Sequence, residues 1–133
     1  MLKLYLPEPG SDELNRALEG REDLFVSDLT VTEIVSALSR RVRQGSLPQG
    51  AARRVQRAII GRLDDGPYQR VDLTRDVHRQ AEDFLLSPTG TPLRAADALH
   101  LALAISVRAA SVASFDVRLG AAVRTVGLVA YPP

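Results

Sequence analysis

Glu33 in SDLTVTEIVSAL, Asp97 in PLRAADALHLALA and Asp116 in VASFDVRLGAA are carboxylates set in or beside apolar runs. A buried charge is costly unless it is paired or binds a cation, so each of the three demands an explanation. Carboxylate oxygens are the hard donors that Mg2+ and Mn2+ prefer, with water and substrate phosphate completing an octahedral shell. The chemistry such a set supports is phosphodiester hydrolysis. Each residue also has a plain structural role open to it. Asp97 falls in the first turn of a predicted helix, where the helix dipole favours a carboxylate. Asp116 follows the apolar run SVASF and could simply cap the next helix. Glu33 could be a solvated helix residue balanced by Arg40 or Arg41.

Two neighbours extend the set. His100 lies three residues after Asp97 and shares its helical face; within LHLALA a hydrogen-bonded core histidine is the simpler reading. Ser114, two residues before Asp116 on one strand face, could orient a carboxylate or a metal-bound water, or satisfy the backbone. Arg40, Arg41, Arg43, Arg53, Arg54, Arg57 and Arg62 fall on two consecutive predicted helices. A solvated face accounts for most of them, and a few could contact phosphates.

These residues need a frame to position them, because half the chain separates Glu33 from Asp97. Met1 to Leu6 reads as a helix tail, stopped by PEPG, and Ser11 as the cap of a short helix to about Leu18. Leu24 to Ser27 is a short buried strand. Asp28 or Thr30 opens a helix with Val31, Ile34, Val35, Leu38 and Val42 at helical spacing, and Gly45 ends it. Leu47 and Pro48 start another, with Val55, Ile59 and Leu63 on its apolar side. Tyr68 to Leu73 alternates as a strand does, and Thr74 caps the next helix. Pro88, Gly90 and Pro92 mark a loop. An apolar helix from Arg94 to Ala109 follows, then a strand over Ser111 to Phe115, a helix from Val117 to Arg124 and a last strand near Leu128 to Tyr131. Helices alternating with short apolar strands predict an α/β sandwich with a mostly parallel central sheet and a site at the carboxyl ends of its strands.

The bulk numbers set limits. A chain of 133 residues, 45% apolar and 25% charged, has the composition of one globular domain. With 17 basic and 16 acidic residues the net charge is only +1, so a nucleic-acid partner must be held by a local patch. The absence of cysteine removes disulfides, thiolate zinc sites and cysteine nucleophiles. MLKLYLPEPG lacks the layout of a secretory signal, and no apolar run is long enough to cross a bilayer, so a soluble, cytoplasmic protein is expected.

Four segments, KLYLPEPGSDEL, SDLTVTEIVSALSR, LRAADALHLALA and ASFDVRL, together resemble the PIN-domain family, in particular the VapC-type toxins of toxin-antitoxin pairs. With the matching order of elements the resemblance covers essentially the whole chain. It implies a single PIN-like domain over residues 1–133, a three-layer α/β/α sandwich with a mostly parallel central sheet. It also implies a metal-dependent endoribonuclease that cuts RNA with Mg2+ or Mn2+, is inhibited by a cognate VapB-like antitoxin, and forms a homodimer. Glu33, Asp97 and Asp116 match the family's acidic positions, as catalytic residues and metal ligands, and Ser114 matches the small hydroxyl residue before the last of them. The resemblance further implies a hydrophobic strand ending in a metal-binding aspartate upstream of MLKLYLPEPG. That strand and aspartate are missing, so an N-terminally truncated domain with impaired metal affinity is expected. The alternative is a catalytically impaired PIN-fold module that binds an antitoxin or RNA.

Overall fold

A computed structural model describes residues 2–87 and 90–132. Met1 and Pro88, assigned above to a helix tail and a loop, lie outside the described residues. The chain divides into two compact units between Val71 and Asp72.

In the first unit, a single 3-10 turn at Leu2–Leu4 precedes α1 (Ser11–Leu18), β1 (Leu24–Ser27), α2 (Asp28–Arg43), α3 (Gln49–Asp64) and β2 (Tyr68–Val71). Ser11 is not the cap of α1. Gly10 takes that place with φ 83°, a left-handed conformation that glycine adopts without a Cβ penalty. Ser11 is instead the buried first residue of the helix. Its Oγ accepts the Glu8 N–H at 2.9 Å and donates to the Leu6 carbonyl, closing the PEPG turn on itself. Helix α2 begins where Ser27 Oγ accepts the Thr30 N–H, and it ends before Gly45, which has φ 71°. Val31, Ile34 and Leu38 from α2 meet Val55, Ile59 and Leu63 from α3, with Val26 and Tyr68 from the strands, in one apolar core. Strands β1 and β2 pair in parallel, Leu24 opposite Tyr68 and Ser27 opposite Val71.

The second unit contains α4 (Arg75–Leu86), α5 (Ala95–Ser106), β3 (Ser111–Ala113), α6 (Val117–Thr125) and β4 (Val129–Tyr131). Thr74 caps α4 by accepting the Val77 N–H, and Val77 and Ala81 are buried along it. Helix α5 stops at Ser106, three residues short of the predicted end, because Arg108 turns left-handed at φ 52° and the Ala109 N–H closes back on the Ala104 carbonyl. The core gathers Leu101 from α5, Leu119, Ala122 and Val123 from α6, and Ala130 from β4. Strands β3 and β4 pair in parallel across the α6 crossover, Ser111 opposite Val129.

The α/β class with parallel strands is what the pattern of elements predicts, as is a PIN-like order. The single central sheet is not found: among the described residues the strands form two separate pairs, β1 with β2 and β3 with β4. Joining two pairs into one sheet needs a strand with ladder bonds to both, and none of the four makes them. The strands are also short, three or four residues each. Among the described residues no helix is long and apolar enough to cross a membrane.

Candidate functional site

Asp97 sits in the first turn of α5 and is 9% exposed, the one expected ligand that is buried. Its Oδ2 accepts the Arg94 N–H at 3.1 Å. That bond satisfies a donor that the helix itself cannot reach, and it fixes the carboxylate over the start of α5. The charge also lies at the positive end of the helix dipole, so burial is compensated.

Asp116 is the N-cap of α6. Its Oδ1 accepts the N–H groups of Arg118 at 2.8 Å and Leu119 at 3.2 Å, with Arg118 Nε 3.9 Å away. The carboxyl is held below its ordinary value, first by the Leu119 N–H, then by the Arg118 N–H and the guanidinium charges of Arg118 and Arg94, against a smaller desolvation effect. Asp116 is therefore a carboxylate throughout the neutral range. Arg94 reaches both acids: its backbone N–H binds Asp97 and its charge acts on Asp116. It went unnoticed in the sequence as a site residue, although an arginine three positions before a first-turn aspartate is where a capping partner falls.

Ser114 lies just past β3 rather than on a strand face, since β3 ends at Ala113. Its N–H extends the ladder for one more bond, to the Tyr131 carbonyl at 2.9 Å, and its Oγ accepts the Asp116 N–H at 3.1 Å. The hydroxyl thus closes the turn that presents Asp116. His100 follows Asp97 along α5 and is half-buried.

Glu33 belongs to the first unit. It is exposed on α2, off the stripe of Val31, Ile34 and Leu38 that faces the core. The expectation that all three carboxylates sit in apolar surroundings therefore holds for Asp97 alone, because Glu33 falls outside the buried face and Asp116 at an open helix entry. The arginines of α2 and α3 form a mostly solvated face: Arg40, Arg43, Arg53, Arg54, Arg57 and Arg62 are exposed. Arg41 is paired with Glu8. Two further groups were not legible in the sequence. Arg70 on β2 bridges Asp28 at 3.3 Å and Asp64 at 3.1 Å. Arg62 lies over the rings of Tyr5 and Tyr68, 5.9 and 5.7 Å from their centres, and donates to the Tyr68 hydroxyl. Burial, with the Tyr68 hydroxyl beside it, pushes the Tyr5 phenol up.

The donor chemistry suits a hard divalent ion. The bonds of Asp116 fall on Oδ1 and the bond of Asp97 on Oδ2, which leaves each carboxylate a second oxygen. Among the described residues, however, no group of three or more His, Cys, Asp or Glu could hold a metal ion. The fit is thus one of donor type, with at most two acids in any one place.

The model of the PIN domain matches residues 1–124. The chain belongs to the PIN domain family. Comparison with curated proteins and with solved structures finds no match. PIN domains are generally metal-dependent nucleases, so the acids of this PIN domain sit in a family whose chemistry calls for them.

Proposed function

We propose that this PIN domain is a metal-dependent endoribonuclease, the toxin of a VapBC-type pair, acting as a single domain and a homodimer on RNA and restrained by a VapB-like antitoxin. Glu33, Asp97 and Asp116 are its catalytic acids and would hold Mg2+ or Mn2+. One observation supports the reading above others. In a chain of this family, Asp97 and Asp116 both open helices, both are held by backbone N–H groups, and both interact with Arg94.

A bound divalent ion lowers the pKa of water and offsets charge developing on phosphate. The protein supplies the rest. Asp116 stays ionised and needs no proton removed before it binds a cation. Ser114 fixes the turn that aims it, and the Arg94 N–H fixes Asp97, so little reorganisation is required. Arg94 and Arg118 add positive charge beside the acids, where a phosphate would approach.

The test is cleavage of a labelled single-stranded RNA with Mg2+, with Mn2+ and with EDTA. Cleavage with either cation and none in EDTA is expected, and equal cleavage in EDTA would sink the metal reading. A second reading, a catalytically impaired PIN module that binds RNA or an antitoxin, draws on the guanidiniums beside Asp116 and on the lack of a three-acid group among the described residues. RNA binding without cleavage under every cation would favour it.

A further inference from the structure

Phe115 stands between Ser114 and Asp116, inside the turn closed by the Asp116 N–H to Ser114 Oγ bond. The backbone on its near side is anchored by the Ser114 N–H to the Tyr131 carbonyl, and on its far side Asp116 caps α6. The ring is nevertheless 44% exposed, and Val117 beyond it is 85% exposed. An anchored chain holding an aromatic ring partly in water has already lost its conformational freedom, so little further order is needed for that ring to take a ligand. The polar surroundings specify which. Arg118 is 3.9 Å from Asp116 on one side, Arg94 acts on the same carboxylate, and Asp116 is a proposed cation ligand. A flat apolar face beside two guanidiniums and a carboxylate suits a nucleotide, with its base on the ring and its phosphate toward the arginines.

The geometry points to Phe115 as a stacking platform for an unpaired RNA base next to the scissile phosphate, with Arg118 as the phosphate contact. This rests on the ribonuclease reading and adds how the substrate strand is seated. Stacking on one ring tolerates every base, so the platform sets strand position and single-strandedness rather than sequence.

The experiment uses the full chain and a ten-nucleotide single-stranded RNA carrying 2-aminopurine, followed by fluorescence in EDTA and in Ca2+. Binding should quench the 2-aminopurine. Phe115→Ala should abolish the quenching and weaken binding roughly tenfold, whereas Phe115→Tyr keeps both. Phe115→Leu keeps apolar bulk and loses the quenching. Arg118→Gln should keep the quenching and reduce the slope of log affinity against log salt by about 0.7. Leu86→Ala on α4, also exposed, should change neither. Circular dichroism and thermal unfolding verify that each variant is folded. Unchanged quenching in Phe115→Ala overturns the inference, as does absence of RNA binding by the unsubstituted chain. If Phe115→Ala is unchanged while the chain cleaves RNA, only the platform fails. If the platform holds but no cation brings cleavage, the nuclease reading fails and the platform stands as a binding site.

Discussion

The two units handle their acids differently. In the first, Glu8 pairs with Arg41, and Asp28 and Asp64 share Arg70, so carboxylates are answered by guanidiniums across a solvated surface. In the second, Asp97 and Asp116 are answered first by backbone N–H groups at the starts of helices. Side-chain pairs in water add little and shift readily, since both partners are long and hydrated. Backbone donors are fixed by the helix and cannot turn away, so an acid held by them keeps its charge and direction. That difference separates acids that tie a surface together from acids prepared to meet a cation.

The largest effects should come from the cores beneath these surfaces. Ile59→Ala in the first unit and Leu101→Ala in the second, both essentially fully buried, should each cost about 2–5 kcal/mol in urea unfolding. A cost under 1 kcal/mol in either would mean that unit lacks the packed interior assigned to it. Asp97→Asn comes next. The amide oxygen can still accept the Arg94 N–H, so folding should hold while RNA cleavage falls about a hundredfold, near 2.7 kcal/mol at 1.36 kcal/mol per decade. Retained cleavage would remove Asp97 from the catalytic set.

Asp116 allows cap and charge to be separated. Asp116→Ala should cost about 1 kcal/mol of stability, and Asp116→Asn much less, because asparagine caps nearly as well. Both should lose cleavage. The native Asp116 should also make stability depend on acid. Its folded value lies below the unfolded one, so its contribution is complete above the ordinary carboxylate range and is lost as pH falls below about 4. Asp116→Asn should flatten that part of the stability profile, and an unchanged acid limb would show that the cap bonds are not what lowers Asp116. The smallest effect is expected at Arg70→Ala: under about 1 kcal/mol, shrinking further in high salt, as the exposed bridges to Asp28 and Asp64 are screened. A large salt-independent loss there would erase the contrast between the units.

Residue patterns carried most of the element order. Apolar residues at three- and four-residue spacing in α2 and α3 can be buried only on one face, and they are. Leu24–Ser27 and the Thr74 cap were legible because a short apolar run and a hydroxyl before a helix are local signals. The Ser11 cap was misread because glycine, with no side chain, gives no sign that it will take the cap position in a left-handed turn. The ends of β3 and α5 were misplaced because they depend on a closing turn at Ser114 and on Arg108 turning left-handed, neither of which periodicity encodes.

For the site, the sequence by itself determined which carboxylates deserved notice, and that Asp97 and Asp116 would open helices, since both follow from local spacing. Only the tertiary structure decided that Asp97 is buried while Glu33 and Asp116 are exposed, that Arg94 serves both acids of the second unit, and that Phe115 is held in water beside them. Exposure and charge proximity are relations between segments distant in the chain, whereas caps and periodicity are settled within a few residues.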